Sequence, residues 1–223
     1  MKPIVDSDIY ISISKEELSE LPQAQYEGKV IVIDNDYKLA SAIKELRKQK
    51  IIGFDTETRP SFRKGMLNKV SLVQLSVDQV CFLFRLNKLN NLRPIFELLE
   101  DKDIIKVGLS IRDDFHNLRR ISEFSPENFV DLQALVKDYN ITDASLSKIY
   151  AILFSKRISK NQRLTNWEAD ELTSAQENYA ALDAQACLDI YHILKTENLD
   201  LNQSPYIKHR EAENIQTDEN TQI

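Results

Sequence analysis

Two carboxylates spaced i, i+2 close an apolar run, Ile51-Ile52-Gly53-Phe54-Asp55-Thr56-Glu57. In a β-strand, residues two apart point to the same face, so Asp55 and Glu57 converge at the end of a buried strand. Adjacent carboxylates repel, and such a pair wants a divalent cation or a proton. Alone, the run is equally compatible with acids at a solvated strand end. Asp114 adds a third acid at a helix start, with Leu118 one turn on marking its face as inward-looking. An inward acid is costly unless paired or bound to a cation, although acids also serve the helix dipole at first turns. Asp113, its neighbour, is the alternative at this position. Tyr179 and Asp183 lie four apart in the helical stretch Thr173 to Leu194 and share a face. By itself that pair reads as a core tyrosine beside a solvated aspartate. The four acids together have one joint explanation, as ligands of a pair of divalent metal ions. An all-oxygen set favours Mg²⁺ or Mn²⁺ over zinc. No zinc-type His or Cys spacing exists, and His116, His192 and His209 are isolated.

Strands and helices must bring these residues together. Ser14 to Glu17 reads as a capping box opening one short helix. Lys29–Ile33 predicts a buried or edge strand, then a helix capped by Asn35 or Asp36 and running to about Lys48. The strand at 51–55 follows. Val70 to Val77 and Val80 to Leu86 predict a hairpin turning at Asp78-Gln79. A helix at 91–100 leads to a strand at 104–107. Ser110 and Asp113 suggest a second capping box, opening a helix to about Ile121. Phe129 to Asp131 is a short strand. Helices follow at 132–138, 145–154 and 171–195, the last two separated by a polar, basic stretch, Ser155 to Asn166. Small residues (Ala180, Ala181, Ala184, Ala186) let the last helix approach a sheet closely. Strands alternating with helices, then a helical C-terminal third, imply the α/β class with a mixed sheet.

The 223 residues, 42% apolar, suffice for one large domain. They divide into an N-terminal extension (1–28), a core (29–197) and a polar acidic tail (198–223) expected to be disordered. The net charge of −6 argues against a nucleic-acid partner until its distribution is considered. The extension carries −4 and the tail −3, leaving +1 for the core. Bound metal would neutralise core acids, so an anionic polymer is not excluded. No run approaches a transmembrane span and no signal-peptide core is present, so a cytoplasmic protein without membrane contact is expected. Cys81 and Cys187 read as reduced, buried thiols.

Three segments carry a resemblance to a known family. Phe54-Asp55-Thr56-Glu57, Val107-Gly108-Leu109-Ser110-Ile111-Arg112-Asp113-Asp114 and Tyr179-Ala180-Ala181-Leu182-Asp183 resemble, in order, the three exonuclease motifs of the DEDD superfamily. Within it, the chain is most similar to the ribonuclease D and Werner-syndrome-type 3′–5′ exonucleases. Arg59 to Phe62, Val73-Gln74-Leu75 and Gln162 to Glu168 agree too, so the likeness spans about residues 30–195. Tyr179 four before Asp183, with Asn178 at the histidine position, resembles the tyrosine subclass. Ser155 departs from the glycine common at that helix end.

The resemblance implies a ribonuclease-H-like fold with a five-stranded mixed sheet flanked by helices. It implies hydrolysis of DNA or RNA from a single-stranded or frayed 3′ end, releasing nucleoside 5′-monophosphates. Two ions, Mg²⁺ or Mn²⁺, would be held by Asp55, Glu57, Asp114 and Asp183, and Tyr179, protonated, would orient the attacking water. Arg59, Arg63, Lys64, Lys156, Arg157, Lys160 and Arg163 flank the site in sequence as candidate phosphate contacts, Arg59, Arg63, Lys64, Lys160 and Arg163 foremost. Phe62 or Trp167 is a candidate for base stacking, with a core or lid role the stronger reading of Trp167. A non-catalytic nucleic-acid-binding module of the same fold is the alternative.

Overall fold

The computed structural model describes residues 8–61, 68–195 and 199–210. In chain order its elements are β1 (Ile9–Ile11), α1 (Lys15–Glu20), β2 (Lys29–Ile33), α2 (Asp36–Leu46) and β3 (Ile51–Thr58). The hairpin β4 (Val70–Val77) and β5 (Val80–Arg85) follows, then α3 (Arg93–Leu99), β6 (Ile105–Gly108), α4 (Ile111–Arg119) and β7 (Phe129–Asp131). The chain ends with α5 (Leu132–Leu135), α6 (Leu146–Phe154), α7 (Ser174–Lys195) and β8 (Ile207–His209).

Among the described residues the main sheet has six strands, in the order β2-β5-β4-β3-β6-β7. The resemblance implied five. The β3–β4 and β4–β5 pairs are antiparallel, whereas β2–β5, β3–β6 and β6–β7 are parallel. Helices α2, α3 and α4 bury one face in an apolar cluster that includes Leu39, Phe54, Phe84 and Phe96. Helix α7 crosses the other face, with α6 packed beyond it.

Local chemistry explains the boundaries. Ser14 and Glu17 form the reciprocal capping box expected of α1. The Asn35 side chain accepts from the Lys38 N–H and so starts α2. The second capping box does not form. Ser110 sits in the left-handed region (φ 59°, ψ 35°) and makes no side-chain cap, because the chain turns sharply out of β6 there and Asp131 accepts its N–H at 3.1 Å. Ser155 also adopts the left-handed conformation (φ 54°), in the cap position where glycine is usual.

The division into extension, core and disordered tail needs correction at the tail. Residues 199–210 form a 3₁₀ turn and β8, which pairs antiparallel with β1. Ile11, Ile13, Leu201 and Tyr206 are buried in one cluster with α6 and α7. Asp143 clamps this layer, accepting from the Ile13 N–H at 2.8 Å and from Lys148 at 2.7 Å. Each terminal segment carries too few apolar residues to read as structured alone; they are ordered by burying those few together. Residues 198 and 211–223 of the expected tail lie outside the described residues. Both cysteines are free and buried, and no helix of the described residues is long and apolar enough to cross a membrane.

Candidate active site

Asp55 and Glu57 leave the end of β3 on the face that α7 covers. Gly53, two residues earlier on that face, sets how close the helix can come. A Cβ there would stand 2.1 Å from the Ala184 carbonyl oxygen, so any side chain would push α7 away. Ala180, Ala181 and Ala184 are fully buried at the same contact. The close approach delivers Asp183 to the strand acids. Ligand oxygens of Asp55, Glu57 and Asp183 all lie within 4.8 Å of one another.

Burial followed by the charges of Asp183, Asp114 and Glu57 raises the Asp55 carboxyl well above the usual range. Burial, then Asp183, pushes Glu57 up to about 9 against the pull of Arg163. Burial raises Asp183 to about 7, opposed by a hydrogen bond from the Tyr179 hydroxyl and by Lys160. These groups hold protons that a cation would displace. A buried, oxygen-only donor set with this much crowded negative charge fits a hard divalent cation.

Asp114 stands in the first turn of α4, turned inward, while Asp113 is exposed. This distinguishes the two acids that the sequence left as alternatives. The Thr56 hydroxyl donates to the Asp114 carboxylate, and burial raises Asp114 to about 6. Asp114 is outside the group of three, yet its charge is felt by both Asp55 and Glu57. Tyr179 is held protonated by burial and then by the charges of Asp183 and Glu57. Its ring lies 6.1 Å from that of Trp167 at an interplanar angle of 34°. Trp167 is fully buried; it backs Tyr179 and offers no face to a base.

A cleft of about 300 Å³ opens over Asp55, Asp183 and Tyr179, with Lys160, Arg163 and Gln133 along its sides. Arg59 is elsewhere, paired with Glu168 at 3.1 Å. Arg157 donates to the Leu21 carbonyl at 3.1 Å, and Lys156 is exposed outside the cleft lining. Phe62, Arg63 and Lys64 lie outside the described residues.

Two residues beside the acids, Thr56 and Gln74, were not singled out by motif or spacing. Gln74 stands directly across from Asp55 in β4 and is fully buried. Neither its amide nitrogen nor its oxygen has a hydrogen-bond partner among the described residues. The available signal was a glutamine at an inward position of a strand whose other residues are apolar apart from two serines.

Residues 30–198 match the family model of the 3′–5′ exonucleases. The chain belongs to this family. Tyr179 donates its hydroxyl to Asp183, the pairing that the likeness to the tyrosine subclass implied. An Arabidopsis thaliana 3′–5′ exonuclease is 35% identical over 65% of this chain and 52% of its own length. The mouse (Mus musculus) bifunctional 3′–5′ exonuclease/ATP-dependent helicase WRN is 29% identical over 78% of this chain and 13% of that protein. The crystal structure of Escherichia coli RNase D, an exoribonuclease involved in structured RNA processing, superposes with a TM-score of 0.68. It is 23% identical, covering 74% of this chain and 44% of that one. The exonuclease-family chain thus spans about half or less of the length of these relatives.

Proposed function

We propose that the chain hydrolyses phosphodiester bonds of single-stranded or frayed DNA or RNA from the 3′ end, releasing nucleoside 5′-monophosphates. One observation carries this reading: three carboxylates, two of them buried and Asp55 half-buried, converge within 4.8 Å beside a protonated tyrosine in a chain of the 3′–5′ exonuclease family. Asp55, Glu57 and Asp183 would hold one Mg²⁺ or Mn²⁺ ion. Asp55 would be shared with a second, which Asp114 reaches directly or through water. When bound, the pair supplies charge stabilisation to the attacking and leaving oxygens of an in-line displacement.

The chain's own groups do the rest. The Tyr179 hydroxyl, kept protonated, orients the attacking water and does not deprotonate it. Lys160 and Arg163 face the acids across the cleft and hold phosphate oxygens of the strand. Buried Trp167 keeps the Tyr179 ring from swinging away. Both RNA and DNA are substrates in this reading; contacts to the 2′-hydroxyl would decide between them.

Digestion of 5′-labelled single-stranded DNA and RNA of one sequence, with Mg²⁺, Mn²⁺ or EDTA, tests the proposal. The expected result is a ladder shortening from the 3′ end that EDTA abolishes. Intact strands with either ion, from protein that still binds them, would move the chain to a non-catalytic binding module.

A further inference from the structure

A second cavity, of about 360 Å³, lies on the other side of Tyr179. Its size falls in the range of small-ligand sites, roughly 300–1,000 Å³. Among the described residues, Tyr179 is the one side chain lining both spaces. Their chemistry differs sharply. The catalytic cleft has carboxylates and two cations. The second cavity has no charged side chain lining it among the described residues, and its polar groups include the carboxamides of Gln23, Gln25, Gln162 and Asn178.

We infer that this amide-lined cavity receives a nucleobase of the strand, next to the nucleotide being removed, and reads its edge. A phosphate would find no cation there. A carboxamide offers a donor and an acceptor on one rigid plane, which matches the paired donors and acceptors of a base edge. Unstacked bases of single strands are recognised in this way, through their exposed edges. The ring of Tyr26 and the side chains of Ala24 and Leu182 supply apolar walls for the base faces.

One wall comes from outside the region that matches the family. Residues 23–26 precede residue 30, where that match begins. Main-chain pairing fixes them in place: the Ala24 N–H donates to the Arg157 carbonyl, and the Arg157 N–H to the Pro22 carbonyl, each at 2.9 Å. Ala24 itself is buried. The backbone of this wall therefore stands before a strand arrives, and binding has only the exposed Gln23 and Gln25 side chains left to order on it. Base preference in this chain then depends on a segment that the catalytic acids do not touch.

The inference rests on the proposed function in one respect, that the strand's 3′ end enters the catalytic cleft. Its test therefore separates binding from hydrolysis. Single-stranded RNA and DNA dodecamers differing only in their last three bases are titrated by fluorescence anisotropy in EDTA, then digested with Mn²⁺. The proteins are wild type, the double variant Gln23→Ala/Gln25→Ala and, as an independent variant, Gln162→Ala, each checked by thermal melting. The wild-type affinities should spread by about tenfold across the sequences, the scale of one good amide–base pairing. Both variants should narrow that spread to about twofold and keep the wild-type salt dependence. No spread in the wild type, an unchanged spread in the folded variants, or a uniform loss of affinity for every sequence would overturn the inference. A narrowed spread without hydrolysis would leave it standing and remove the proposed function. Hydrolysis without any spread would do the reverse.

Discussion

Two adjacent rows of the central sheet show how this chain divides stability from chemistry. Phe54, Leu75 and Phe82 stand opposite one another across β3, β4 and β5. One residue on, Asp55, Gln74 and Leu83 do the same, but strand alternation turns that row to the other face. The first row is wholly apolar and belongs to the cluster under α2, α3 and α4. The second lies under α7 and holds a carboxyl and an unpaired amide at the centre of the molecule. A sheet rigid on one face can therefore carry a row on the other that is poor for stability.

Neighbouring substitutions break the comparison most directly. Phe54→Ala empties a fully buried site that stacks edge-on against Phe129 at 5.3 Å. It should cost about 3–5 kcal/mol of stability, read by urea unfolding. Asp55→Ala should lower the hydrolysis rate by about 10²–10³-fold or more, as removal of one preorganised charge does elsewhere. Its metal-free melting temperature should hold or rise, because one of several crowded buried carboxyls is gone. A large loss of stability in Asp55→Ala would mean that the two rows do not divide the labour.

The acids also predict how metal-free protein responds to pH. Asp114, Asp183 and Glu57 have folded values of about 6, 7 and 9, above ordinary values of 3.8, 3.8 and 4.5. From about pH 4 the unfolded chain ionises while the folded chain keeps its protons. The folded state then binds more protons, and stability falls as pH rises; for these three groups the loss is complete near pH 9. In EDTA the melting temperature should drop across this window. Mg²⁺ or Mn²⁺ should restore more of it at pH 8.5 than at pH 5. A melting temperature that rises with pH in EDTA would contradict the crowded-carboxylate account.

The apolar face has its own exception, with the opposite sign. Lys106 in β6 is fully buried, with its ammonium 5.1 Å from the centre of the Phe129 ring and donating to the Asp101 carbonyl. Burial lowers it from 10.5 to about 8. Between those values the unfolded chain binds more protons, so stability rises with pH and the cost is fully present below pH 8. Denaturant titrations from pH 9 to 10.5, above the window in which Asp114, Asp183 and Glu57 act, should show the upper part of that rise, and Lys106→Met should flatten it.

Much of this layout was legible in the sequence, for reasons that also mark where legibility ended. The hairpin, the Asn35 cap and the strand at Asp55 are specified by neighbours in sequence, through turn residues, a side-chain oxygen and alternation. So was the helix that pairs Tyr179 with Asp183. The sixth strand of the sheet was visible as the Phe129–Asp131 run, although the resemblance implied five. The β1–β8 layer was not visible, because two short segments about 200 residues apart are ordered by each other. Ser110 had the residue pattern of a cap but not its backbone, which the exit from β6 dictates. Trp167 could have been a stacking platform until its burial was known. The wall of the second cavity at residues 23–26 depends on pairing with Arg157 far along the chain.

Gln74 offers the smallest effect and the finest test of the division between rows. A buried amide without partners costs about 1–3 kcal/mol relative to a satisfied one. An apolar residue of similar volume should therefore stabilise the fold, provided the site repacks. Gln74→Leu should raise the metal-free unfolding free energy by about 1 kcal/mol. The same change removes the only amide directly opposite Asp55 in β4. If that amide steadies the carboxylate once a cation has displaced its proton, Mn²⁺ affinity should fall by roughly 10- to 100-fold, as for other groups that orient metal ligands. Calorimetric Mn²⁺ titration beside urea unfolding reads both effects in one protein. A gain in stability with unchanged Mn²⁺ affinity would make Gln74 a packing residue only. A loss of stability would mean that the amide is satisfied in solution, and that the second row is less costly than its unpaired atoms imply.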